Sequence, residues 1–337
     1  MKNFTYYRPT SVEQAVGLLE PRFGNTELLG GGTDLHALQK TYVAQPARVV
    51  SLGGIKGFGG IEDVNAAGGR YFRIGAGTSI ADIAAHAGLR QNFPALTATA
   101  NEIAGPQIRN MATLGGNLCQ RNRCWYFRDE HVNCRLKSAG APCFAIDGEN
   151  QYHAVFTQGH PCVIASPSTL APALIALGAT AYIVGPNNAR RTLDMANFYH
   201  APANANDREH VLAANEILEH VRIPVNSMAN ASYEVRQKLA IDWPLVQCAV
   251  AWRTNGGKTV DAKVVLSQVA PLPHISAAAA KALNGQAINE ETATAVGRAA
   301  TDGARPLSRS GYKVKLVEIA VKRAVMIAGN LKRYWEV

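Results

Sequence analysis

Leu28-Leu29-Gly30-Gly31-Gly32-Thr33-Asp34-Leu35 follows a short apolar run and precedes the amphipathic Leu35–Lys40 segment. This is the arrangement of a strand, a glycine turn and a helix. Unpaired backbone N–H groups and the helix dipole at such a turn suit an anion. Glycines let the backbone approach a diphosphate without Cβ clashes. Thr33 adds a hydroxyl, and Asp34 is placed to cap the helix, since a carboxylate would repel the anion. Taken alone, the loop reads equally well as a tight turn that needs positive φ.

A second loop, Thr113-Leu114-Gly115-Gly116-Asn117, repeats this chemistry with a hydroxyl, paired glycines and a side-chain amide. Two such loops can grip one diphosphate from both sides. Neither continues into Gly-Lys-Ser/Thr, so neither is a Walker loop. Gly75-Ala76-Gly77-Thr78-Ser79-Ile80 comes nearest to the GxGxxG dinucleotide fingerprint but lacks its third small residue.

Around the loops the chain reads in order. Ser11–Gln14 fits a capping box before a helix, and Ala47–Leu52 a strand. The glycine-rich residues 53–69 separate a first lobe from a second. Tyr71–Gly77 is a strand, followed by one helix capped by Thr78 or Ser79 and another from Pro94 to Ala104. After Pro224 three successive strands appear, the last two joined by Asn255-Gly256-Gly257, a hairpin signal. Helices close the chain. Strands followed by helices argue for an α+β domain with the helices on one face of an antiparallel sheet. The expected domains are residues 1–60, 61–224 and 225–337.

The chain has 337 residues, 47% of them hydrophobic and 18% charged, which excludes long disorder. No stretch has the length and apolarity of a membrane span, and MKNFTYYRPT lacks the apolar core of a secretion signal. The net charge of +9 is scattered and forms no basic run, so nucleic acid is not an expected partner. The lysines of the last helix, Lys313, Lys315 and Lys322, are expected on a solvated face.

Six cysteines stand at 119, 124, 134, 143, 162 and 248, five of them within 44 residues. Such crowding makes a local device. Cys124, Cys134, Cys143 and Cys162 are spaced C-x9-C-x8-C-x18-C. This lacks the tight C-x2-4-C pairs of zinc sites and suits thiolates around an iron–sulfur cluster. A zinc-stapled binding module remains an alternative on spacing. Disulfides rank last without an export signal. No Ser-His-Asp set, carboxylate pair or HExxH motif is present, so the chain carries no catalytic residue of its own.

LLGGGTDL at 28–35 and IRNMATLGGNL at 108–118 resemble the two FAD diphosphate loops of the flavin-binding medium subunits of molybdenum hydroxylases, and the similarity spans nearly the whole chain. GGNLCQRNRCWYFRD, then Cys134, Cys143 and HPCVIASPS, are similar to the aldehyde oxidoreductase and 4-hydroxybenzoyl-CoA reductase branch. That resemblance implies a two-lobed FAD-binding domain of the vanillyl-alcohol-oxidase type followed by an α+β C-terminal domain. It implies FAD at Leu29, Gly30, Gly31, Gly32, Thr33, Asp34, Ile108, Thr113, Gly115, Gly116 and Asn117. Lys238 would face the flavin ring.

By the same resemblance Cys124, Cys134, Cys143 and Cys162 would hold a 4Fe-4S cluster in an insertion at about 119–162, with Cys119 spare. The molybdenum cofactor and 2Fe-2S clusters belong to a large and a small partner subunit, and electrons leave FAD for an external acceptor. The subunit would stay in the cytoplasm or reach the periplasm with a signal-bearing partner. A free-standing flavin oxidoreductase is the remaining alternative. Two departures stand out: Ala165-Ser166-Pro167-Ser168-Thr169 replaces an ATHPSD-like stretch, and Lys238 stands where arginine is common.

Overall fold

A computed structural model describes residues 1–238 and 242–335. The first lobe is a parallel sheet of β1 (Thr5–Tyr7), β2 (Thr26–Leu29) and β3 (Arg48–Ser51), in the order β1-β3-β2. Its crossovers are α1 (Val12–Gly17) and α2 (Leu35–Lys40). Ser11 caps α1 by accepting from the Gln14 N–H, as the capping box predicts.

The second sheet is wholly antiparallel, in the order β4-β5-β8-β6-β7. Its strands are β4 (Ile61–Ala66), β5 (Gly69–Gly75), β6 (Thr180–Val184), β7 (Arg190–Asp194) and β8 (Ile217–Pro224). β4 lies inside the glycine-rich stretch expected to separate the two lobes. Ile61 and Val64, three apart and so on opposite faces, are its half-buried residues, and Ala67-Gly68 turns the chain back into β5.

Helices α3 (Ile80–Ala85), α4 (Ala87–Asn92) and α5 (Pro94–Glu102) follow. Ser79 caps α3 by accepting from Asp82 N–H. The single helix expected after Ser79 is broken at His86, whose backbone is extended and whose ring caps α4 through Leu89 N–H. Next come α6 (Pro106–Met111), α7 (Leu114–Leu118) and α8 (Trp125–Arg128), and later α9 (Leu170–Ala176), which is buried throughout.

The third sheet, β12-β11-β10-β9, is antiparallel. Its strands are β9 (Ala229–Val235), β10 (Val246–Asn255), β11 (Lys258–Ser267) and β12 (His274–Ile275). Gly256 and Gly257 form the two-residue hairpin with φ of 56° and 76°, a backbone that side chains resist. Helices α10 (Ala277–Leu283), α11 (Glu290–Ala299) and α12 (Tyr312–Ala328) cover one face, with Val317, Val321 and Val325 packed near Val250 and Trp252. Trp252 is 2% exposed, and burying a side chain of that size contributes upwards of about 2 kcal/mol. Cys248 sits fully buried in this core.

Lys313 departs from the solvated face expected of α12. It is 1% exposed, and its Nζ donates to the carbonyls of Gln268 (2.5 Å), His153 (3.1 Å) and Tyr152 (3.4 Å). Burial pushes its ammonium down to about 7. A lysine in a helix pattern gives no sign that loop carbonyls from elsewhere will surround it. Among the described residues, no helix is long and apolar enough to cross a membrane.

Candidate functional site

The chain from β2 to α2 and the chain from α6 to α7 meet edge to edge. A Cβ on Gly31 would lie 1.6 Å from the Met111 carbonyl oxygen, and one on Gly30 would lie 2.9 Å from Thr113 Oγ1. Glycine is therefore required at residue 31 by the second loop rather than by a ligand alone. Only Gly32, with φ of 76°, needs glycine for its own conformation.

The second loop is pinned to the β5–α3 connection. Gly115 N–H donates to Ala76 O (2.8 Å), Leu114 N–H to Thr78 O (2.9 Å) and Ile80 N–H to Ala112 O (2.9 Å). Thr113 Oγ1 caps α7 by accepting from Gly116 N–H at 3.1 Å. Its amides are thus largely taken. Among the described residues, those of Gly31, Gly32 and Thr33 have no backbone acceptor. The two loops are unequal: one offers donors and the other forms a wall.

Between them opens a cleft of about 1150 Å³, open in part to solvent. Gly30, Gly31, Gly32, Thr33, Asp34, Thr113, Gly115 and Gly116 line it. Leu29 closes β2 as a buried residue behind the loop. Asn117 is also buried, its Oδ1 accepting from Ser168 Oγ at 2.8 Å, which ties the Ala165–Thr169 stretch to the second loop. Ile108 is exposed on α6, and Lys238 is exposed after β9; neither lines the cleft.

Asp34 differs from the expected helix cap: its side chain makes no capping hydrogen bond. Oδ1 instead accepts from Arg123 Nη1 and Arg128 Nη2, both at 2.7 Å, and Oδ2 from Arg121 N–H at 2.9 Å. Burial raises its pKa, but Arg123 and Arg128 outweigh this and hold the carboxyl below its ordinary value. Burial in turn pushes Arg123 down to about 10.

Sequence reasoning also missed Arg121 and Arg208, which line the cleft. Arg121 Nε stands 2.8 Å from Glu209 Oε2, and its Nη2 is buried without an acceptor. Arg208 pairs with Glu27 at 3.1 Å and lies over the Phe23 ring. Their acidic partners Glu209 and Glu27 lie far away along the chain, so no local motif marks either arginine.

The cysteines form a separate centre. Cys124, Cys134, Cys143 and Cys162 line one narrow void together with Tyr126, Phe127, Phe144 and Ile164. Cys119 stands apart, in the lining of the cleft. All six cysteines are free thiols. A hydrogen bond from the Cys162 thiol lowers Cys143, while Cys162 is raised by the same bond. Burial pushes Cys124 up to about 12, and His153 Nε2 lies 3.2 Å from its Sγ. Among the described residues, no group of three or more His, Cys, Asp or Glu is arranged to hold a metal ion. The four thiols line one void, with Cys143 and Cys162 within hydrogen-bond reach of each other.

Comparison with known proteins agrees with this geometry. The family model for the FAD binding domain in molybdopterin dehydrogenase matches residues 2–226, and that for the CO dehydrogenase flavoprotein C-terminal domain matches residues 231–328. The aldehyde oxidoreductase FAD-binding subunit PaoB of Escherichia coli K12 is 31% identical over 94% of this chain and 96% of its own. The carbon monoxide dehydrogenase medium chain of Hydrogenophaga pseudoflava is 27% identical, over 96% of each chain. A solved carbon monoxide dehydrogenase from that organism, lacking the Mo-pyranopterin moiety, superposes with a TM-score of 0.75 at 26% identity, covering 97% of each chain. The fold, the paired glycine loops and these matches together show that the chain belongs to the FAD-binding medium subunits of the molybdenum hydroxylases.

Proposed function

We propose that this chain is the electron-transfer subunit of a molybdenum hydroxylase of the aldehyde oxidoreductase type, holding FAD in the glycine-lined cleft and a 4Fe-4S cluster on Cys124, Cys134, Cys143 and Cys162. The convergence of those four thiols on one void beside the flavin loops carries the reading. A zinc ion with Zn–S of about 2.3 Å would draw its sulfurs to within ~4 Å of one another. A cubane has one thiolate per iron, and binding one would part Cys143 from Cys162, which hydrogen-bond to each other without it. Phe127 and Ile164, 4% and 2% exposed, exclude water from its wall.

The donor set also fits FAD. Gly31, Gly32 and Thr33, whose amides have no backbone acceptor, line the cleft with Arg121 and Arg208 and would hold the doubly charged diphosphate of a bound FAD. Bound FAD supplies two-electron acceptance with one-electron release, and the protein supplies position and electrostatics. A large subunit with the molybdenum cofactor and a small 2Fe-2S subunit complete the complex, and an external acceptor takes the electrons.

Visible spectra of the full chain purified without oxygen test this. The expected spectrum has flavin bands on a broad brown background; Cys134→Ser or Cys162→Ser removes the background, and Cys119→Ser keeps it. A spectrum of flavin alone, unchanged by any cysteine replacement, overturns the cluster assignment.

A further inference from the structure

The Asp34 carboxylate belongs to the flavin loop, yet every side chain and amide bound to it comes from residues 121–128 of the thiol segment. Arg123 extends the link to the second loop: its Nη2 donates to Gln120 Oε1 (2.6 Å), and Gln120 Nε2 donates to Asn117 O (2.9 Å). Arg128 extends it toward the thiols. Its Nε donates to Asn122 O (2.8 Å), and Asn122 Oδ1 accepts from Cys124 N–H (3.1 Å). Asn122 is itself fully buried and held by Glu209 Oε1 at 2.7 Å.

Four residues past Asp34, Leu38 packs in the apolar cluster of Phe127, Cys134, Leu136, Cys162 and Ile164. Helix α2 is therefore gripped at its start by half-buried ion pairs and one turn later by the thiol core. Displacing either grip is expected to move Gly32 and Thr33, which lead into this helix.

Resting on the FAD site proposed above, we infer that FAD binding and the folding of the thiol segment are one coupled equilibrium, with Arg123 as the positioning residue that joins them through Asp34. Linkage makes the effect reciprocal: whatever orders the thiol segment tightens FAD, and FAD orders the thiol segment. Nothing in the coupling requires a metal in the segment.

The test uses the full chain freed of iron and flavin. FAD affinity is read by fluorescence titration, and thiol order by the alkylation rates of Cys134 and Cys162 with and without FAD. Coupling between sites commonly spans 5- to 150-fold, so saturating FAD is expected to slow alkylation about tenfold. Arg123→Gln is expected to weaken FAD about tenfold and to abolish that protection. Arg123→Lys recovers part of both. Asp34→Asn combined with Arg123→Gln binds FAD no worse than the weaker single variant, because the pair is already broken.

Alkylation rates indifferent to FAD in the unaltered chain overturn the inference, and this arm needs no variant to fold. Single-variant losses that add in the double variant overturn it as well. An unaltered chain that takes up no FAD overturns the site reading and the inference together. Tight FAD binding with unprotected thiols overturns the inference alone.

Discussion

Replacing Gly31 with alanine probes the contact between the two loops. The new Cβ would lie 1.6 Å from the Met111 carbonyl oxygen and 2.4 Å from its carbon. Real Cβ contacts essentially never fall under 3.0 Å, and the obstacle is backbone, so the loops must part by about 1.4 Å, the difference between 3.0 and 1.6 Å. That displacement carries the amides of Gly31, Gly32 and Thr33 beyond the ~3.2 Å limit of a good hydrogen bond to a diphosphate held elsewhere in the cleft. Losing two hydrogen bonds to a charged group costs about 3 kcal/mol or more, a rise of over 100-fold in the dissociation constant of FAD. Gly17→Ala is the control. It lies in α1 with nothing within 4 Å, and it is expected to leave FAD unchanged while stabilising the chain by about 0.5–1 kcal/mol. The assay is fluorescence titration of the deflavinated chain. Gly31→Ala protein that binds FAD within threefold of the unaltered chain refutes the packed-loop argument.

Acid should act through His210. Burial lowers it from 6.5 to about 4, so between these values the unfolded chain takes up a proton that the folded chain refuses. Stability is expected to fall as pH drops from 6.5 toward 4, by up to ~3 kcal/mol from this group. Urea unfolding at several pH values should show a shallower dependence for His210→Gln, and an identical slope would remove His210 from the account. Lys313→Ala deprives two buried carbonyls and a partly buried one of their donor, so a loss of about 2–4 kcal/mol is expected in denaturant melts. A variant as stable as the parent would mean that the lysine contributes no net anchoring. Cys119→Ser, altering a thiol that lines the cleft rather than the void, should leave iron content unchanged by metal analysis.

The parts legible in the sequence are those governed by neighbours along the chain. Gly256-Gly257 demanded a hairpin, Ser11 and Ser79 announced caps, and strands followed by helices after Pro224 announced the third sheet. Asp34 misled because an aspartate before a helix has the spacing of a cap, whereas its ion pairs come from residues about 90 positions away. Local reading has no access to such a pair. β4 was hidden because Ile61-Glu62-Asp63-Val64-Asn65-Ala66 has no period-2 alternation and lies between glycines, and Lys313 because burial of a cation depends on carbonyls supplied by two distant loops. The cluster of thiols was visible as crowding. The grouping of four with Cys119 spare was implied by the resemblance, while the void that the four line together is a feature of three dimensions.

The central claim, that one chain carries both cofactors, is met most directly by counting them. Anaerobically purified full chain should contain about four irons and four acid-labile sulfides for each FAD. Material with stoichiometric FAD but no sulfide, or with zinc in place of iron, would contradict it.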